Sequence, residues 1–63
     1  MTKQDRIVYV RFAGHGHYKV CVKKYNKYYT AIITDMPTID DYKDGSVQAA
    51  INLYNYVMRK NQN

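Results

Sequence analysis

Residues 6–35 read RIVYVRFAGHGHYKVCVKKYNKYYTAIITD, and the alternation of residue types in this stretch decides the fold. β-Branched and aromatic residues gather in three runs, Arg6–Ala13, His17–Tyr25 and Tyr28–Asp35. Between the runs stand Gly14-His15-Gly16 and Asn26-Lys27, where turn-forming residues interrupt the strand pattern. Strands joined by connections this short pair as consecutive antiparallel hairpins. A loop at Gly14–Gly16 sets Phe12 opposite Tyr18 and Val10 opposite Val20. A two-residue turn at Asn26-Lys27, with Asn suited to positive φ, sets Val22 against Ala31 and Val20 against Ile33. Both hairpins then place Val8, Val10, Phe12, Tyr18, Val20, Val22, Tyr29, Ala31 and Ile33 on one face, as period-two alternation requires of a sheet covered on one side.

The cover comes from SVQAAINLYNYVMRK, residues 46–60. Ser46 is a helix N-cap, and Val47, Ala50, Ile51, Tyr54, Val57 and Met58 recur at helical spacing along one stripe. Arg59 and Lys60 suit the negative end of the helix dipole. The connecting MPTIDDYKDG, residues 36–45, has the form of a capping box at Thr38–Asp41. It predicts a short helical turn over residues 39–43, ended by Gly45. The expected fold class is α+β: a β-β-β-α chain in which a C-terminal helix over residues 47–60 packs across a three-stranded antiparallel sheet.

A chain of 63 residues makes one domain, spanning residues 1–63, with no enclosed substrate cleft. Folding at this size removes only about 60% of the unfolded chain's surface from water. The single Cys21 offers no internal disulfide, and no cysteine pattern points to structural zinc. The N-terminal MTKQDRIVYVRF lacks the apolar run of a signal peptide, and nothing approaches a membrane span. The expectation is a soluble cytoplasmic protein with no membrane association.

His15, His17 and Cys21 invite a metal reading, but His17 and Cys21 stand four residues apart on an extended strand, about 13 Å at the usual rise. Zinc needs all its ligand atoms within about 2.0–2.3 Å of one centre. The same separation removes a Cys–His nucleophile, and no Ser/His/Asp set or phosphate-binding glycine loop is present. Asp35, Asp40, Asp41 and Asp44 lack calcium-loop spacing and read as capping and loop residues. The expectation is a non-enzymatic protein with no cofactor and no metal site.

The formal charge of +5 is uneven: residues 1–29 hold seven Lys/Arg and one acid, residues 30–63 three and four. A basic half selects acidic or phosphate-bearing partners. The sheet face opposite the helix holds Tyr9, Arg11, Lys19, Cys21, Lys23, Tyr25, Tyr28, Thr30 and Ile32, with Ile7 at its margin. Cations that neutralise phosphates and tyrosines that stack on bases occur there together. The nucleic-acid-binding candidates are therefore Arg11, Lys19, Lys23, Tyr9, Tyr25, Tyr28 and Thr30, with DNA or RNA as partner.

GHYKVCVKKYNKYYTAIIT, residues 16–34, followed by an alanine-bearing helix, resembles the Gly-aromatic-Lys-x-Val-x-Val strand, turn and strand of three-stranded-sheet DNA-binding domains. These are the arm-site-binding domains of tyrosine-recombinase integrases and the plant ethylene-response-factor type. The resemblance implies contact with the DNA major groove through the sheet, at the positions of Arg11, Lys19, Lys23, Tyr9 and Thr30. The alternative is a protein-binding inhibitor or adaptor of phage or mobile-element type. On the helical wheel Ala49, Leu53 and Tyr56 fall off the main stripe, so they are the candidate surface for a protein partner or a homodimer, and an edge strand is the other route.

Overall fold

The computed structural model describes residues 7–62. Three strands, β1 (Ile7–Gly14), β2 (His17–Lys24) and β3 (Lys27–Ile33), form an antiparallel sheet in the order β1-β2-β3, followed by two helices, α1 (Met36–Lys43) and α2 (Val47–Asn61). The expected α+β architecture is present. Arg6, expected to open the first strand, lies outside the described residues.

The first hairpin turns at His15 and Gly16, both with positive φ (53° and 74°), the pattern of a type I′ turn. Phe12 pairs with Tyr18 and Val10 with Val20, as the sequence predicts, and Ala13 is the extra residue of a bulge before the Gly14–His17 pair. The second hairpin differs from expectation. Its turn is Tyr25-Asn26, with the positive φ (57°) on Tyr25 and not on Asn26. Val22 consequently pairs with Tyr29 and Val20 with Ala31, two residues from the expected register. An even shift leaves every side chain on its predicted face.

A second irregularity does change faces. Ile7 pairs with Val22 and Tyr9 with Cys21, so β1 advances two residues where β2 advances one. This bulge delivers Ile7 to the core and leaves Val8 exposed, the reverse of the expected assignment. Phe12 keeps its face but is 65% exposed, meeting only the edge of the Tyr18 ring at a centroid distance of 5.6 Å.

The helices are fixed by their caps. Asp35, not Thr38, caps α1: its carboxylate accepts from the Thr38 backbone N–H (3.3 Å) and hydroxyl (2.8 Å). The helix ends where Gly45 takes φ 94°, with Gly45 N–H donating to Tyr42 O and Ser46 N–H to Asp41 O. That pair of bonds is a Schellman ending, for which glycine is the preferred residue. Ser46 then caps α2 by accepting from the Ala49 N–H at 3.1 Å. Two helices are thus joined by three residues.

The core unites Ile7, Val20, Val22 and Ile33 of the sheet with Ile39 of α1 and Ala50, Leu53 and Val57 of α2. α2 packs against both the sheet and α1. Its buried stripe is rotated from the expected one: Ala49 and Leu53 are buried, whereas Ile51 is half-buried and Val47 exposed. Leu53 is 0% exposed and Ala49 4%, so neither offers a surface to a protein partner or a second copy. Tyr56 is half-buried and engaged, its hydroxyl donating to Ile32 O at 3.1 Å. The expected partner surface of Ala49, Leu53 and Tyr56 is therefore part of the packed interior and its rim. The short connection makes α1 a full helix beside α2, and α2 must bury an edge against that neighbour as well as a face against the sheet.

The two sheet edges differ. Lys24 and Lys27 flank a two-residue loop and so form a hydrogen-bonded pair. Counting along the ladder, Tyr28, Thr30 and Ile32 turn their backbone groups outward from β3, while Val10 and Phe12 do so from β1. On β3 two of these outward carbonyls are occupied, Thr30 O by Asn61 Nδ2 (2.9 Å) and Ile32 O by Tyr56 OH.

Candidate functional site

The sheet face away from the helices is built by alternation. Arg11, Lys19 and Ile32 form one cross-strand row, Tyr9, Cys21 and Thr30 the next, and Lys23 and Tyr28 a third. The structure brings the predicted residues Arg11, Lys19, Lys23, Tyr9, Tyr28 and Thr30 onto one surface, with Tyr25 at the adjoining hairpin tip. Residues 7–34 contain five Lys/Arg and no carboxylate, and the acids among the described residues all lie within residues 35–44. Nothing on the sheet neutralises Arg11, Lys19 or Lys23, all exposed.

The aromatic members are not equivalent. Tyr9 is half-buried and the Arg11 guanidinium stands 4.3 Å from its ring centroid, so this ring supports Arg11 and presents little open face. Lys23 Nζ is 5.6 Å from the Tyr28 ring and Lys24 Nζ 5.9 Å from the Tyr25 ring. Tyr25, 87% exposed, and Tyr28, also exposed, are the rings with area free for a ligand. On this face the accessible aromatic surface therefore lies at the β2–β3 end of the sheet. Cys21 is buried on this helix-free face, in the middle row between Tyr9 and Thr30. Its thiol serves packing there.

The histidines belong to the first turn. His17 Nδ1 lies 2.9 Å from the His15 carbonyl and 3.1 Å from that of Gly14. Carbonyls only accept, so Nδ1 carries the proton and holds the loop closed. Among the described residues no three His, Cys, Asp or Glu side chains cluster as metal ligands, and no helix is long and apolar enough to cross a membrane.

Concave surfaces also occur among the described residues. One, of about 550 Å³, lies on the helix side of the hairpin tip, with Lys24, Lys27 and Tyr29 on the sheet side and Met58 and Gln62 on the α2 side. Sequence reasoning missed it, because its walls come from segments some thirty residues apart and only the lysines flanking the turn signal it locally. Another, of about 300 Å³, sets Asp35 and Arg59 among Thr38, Asn52 and Asn55, so its charges are of both signs.

Comparison with known proteins gives no matching family model, no similar curated protein and no similar solved structure. The functional reading rests on the site.

Proposed function

We propose that this protein is a non-enzymatic nucleic-acid-binding module whose working surface is the helix-free face of the sheet. The observation that carries the reading is that face's composition: Arg11, Lys19 and Lys23 together with the exposed Tyr28, with no carboxylate anywhere on the three strands. Cations in rows at strand spacing suit a phosphate backbone, which supplies most of non-specific affinity, and Tyr28 and Tyr25 offer stacking surfaces at one end. Tyr9 acts by holding Arg11. The resemblance of residues 16–34 to the strand-turn-strand pattern of sheet-reading DNA-binding domains points to the same reading.

The test is a titration of single-stranded DNA, duplex DNA and RNA at several salt concentrations. A Lys19→Ala/Lys23→Ala variant should lower the log-log salt slope by up to about 1.8 for duplex DNA and about 1.4 for single strands. Affinity no greater than that of an unrelated basic protein of equal charge would overturn the proposal.

One observation favours a second reading, protein binding by strand addition. β1 presents the outward backbone groups of Val10 and Phe12 beside the exposed Phe12 and Val8 side chains, whereas two outward carbonyls of β3 are occupied. Val10→Pro removes an outward N–H without touching the ladder to β2, and a captured partner lost with this variant but kept with Lys19→Ala/Lys23→Ala would establish that reading instead.

A further inference from the structure

We infer that the groove between the β2–β3 turn and the C-terminal end of α2 is a nucleotide-binding site, which takes one unpaired nucleotide of a bound strand. The inference rests on the nucleic-acid reading above and adds a second surface, on the opposite side of the sheet from the first. Its volume, about 550 Å³, falls in the range of small-ligand sites.

The groove has a distinct group for each part of a nucleotide. Tyr29 and Met58, both half-buried against the core, form an apolar floor of the kind on which a base packs. Lys24 and Lys27 are paired across the root of the hairpin, so their side chains leave the sheet on the same side and both line the groove, where a phosphate would offset the repulsion of two like charges. Asn26 and Gln62 are exposed amides, each with donor and acceptor atoms to meet the edge of a base. Asn61 also lines the groove, but its Nδ2 is committed to Thr30 O and Val57 O, which fixes that wall.

The chain's geometry connects this groove to the flat face. Lys23 and Tyr28 lie on one side of the hairpin, Lys24 and Lys27 on the other, and Tyr25, exposed at the tip, also lines the groove. A single strand crossing the tip meets cations on both sides and a stacking ring at the crossing point. A duplex would have to bend sharply against a persistence length of about 50 nm to follow the same path, and its paired, stacked bases are not presented to the groove, whereas a single strand meets neither obstacle. The ligand class is therefore single-stranded or locally unpaired nucleic acid.

The experiment follows backbone amide shifts of isotope-labelled full-length protein titrated separately with adenosine 5′-monophosphate, inorganic phosphate and a short single-stranded DNA. The mononucleotide is expected to saturate with shifts confined to Lys24–Tyr29 and Met58–Gln62, and to bind more tightly than phosphate. Lys27→Ala should weaken it about tenfold, the loss of one charge-assisted contact. Lys24→Ala should act in the same direction, and unchanged melting of both exposed-site variants secures the comparison. Phosphate binding equal to the mononucleotide would reduce the groove to a general anion site and overturn the inference. Oligonucleotide shifts limited to Arg11, Lys19, Lys23 and Tyr28, with no mononucleotide response, would overturn the groove and retain the sheet face. No response to any nucleic acid would remove both.

Discussion

Tyr25 holds a left-handed backbone conformation that costs a residue with a Cβ about 1–2 kcal/mol, and its ring is left almost wholly in water. Asn26, better suited to such a φ, stands next to it with an ordinary one. Strain maintained at an exposed aromatic suits a residue kept for contact rather than for folding. Tyr25→Asn should leave thermal stability unchanged or raise it by up to about 1 kcal/mol, while single-strand affinity falls by about 1–3 kcal/mol. Loss of stability in that variant, or unaltered binding, would contradict the assignment. Leu53 is the converse case, a residue whose role is wholly internal. Leu53→Ala should cost about 2–5 kcal/mol by chemical denaturation, a large share of the roughly 3–9 kcal/mol expected for a chain of this length. Ile51→Ala, at a half-buried position away from the core cluster, should cost less than half as much as Leu53→Ala.

At the scale of the element, the two departures in the sheet show which errors matter. The β2–β3 turn sits one residue earlier than predicted, which moves the pairing by two and preserves both faces, so Lys23, Tyr28 and Thr30 were legible as surface residues. The bulge in β1 advances one strand by a single residue and exchanges Ile7 for Val8 in the core. Alternation in RIVYV permits either assignment, because Ile7 and Val8 are both apolar and β-branched. Ile7→Ala should therefore destabilise by about 2–5 kcal/mol and Val8→Ala by well under half of that, measured by the same denaturant titration. In α2 the helix, its cap and its extent were legible from Ser46 and the apolar spacing. The rotation of its buried stripe was not, because it depends on α1. MPTIDDYK shows only Ile39 and Tyr42 as inward-facing anchors, too few to announce a helix of eight residues. The groove was illegible for a related reason, since local sequence does not say that the end of α2 lies beside the second turn.

For the whole molecule, charge and packing are segregated along the chain. Three strands without a carboxylate carry five of the cations, and the acids of residues 35–44 lie at the two caps of α1 (Asp35, Asp44) and within that helix (Asp40, Asp41). Added salt should therefore weaken ligand binding far more than it alters the melting temperature, a contrast that parallel binding and thermal scans would expose. Losing that contrast would mean that the basic residues chiefly serve the fold.

The occupied carbonyls of Thr30 and Ile32 bear on a different matter, how many copies of this chain can join edge to edge. An open filament grown by strand pairing needs two accessible edges on every molecule, one to receive and one to offer. Among the described residues nothing pairs with the outer edge of β1, whereas an incoming strand must displace Tyr56 and Asn61 to reach β3. Strand-mediated self-association should therefore stop at a closed pair related by a two-fold axis, because two outward carbonyls on the second edge of each copy are already engaged. A Tyr56→Phe/Asn61→Ala variant frees both carbonyls, and at high concentration it should form polymers that light scattering detects and the parent does not. The same variant staying as dispersed as the parent would show that something other than these two side chains guards the edge. On this account the last helix, besides filling the core, should limit how far the chain can polymerise.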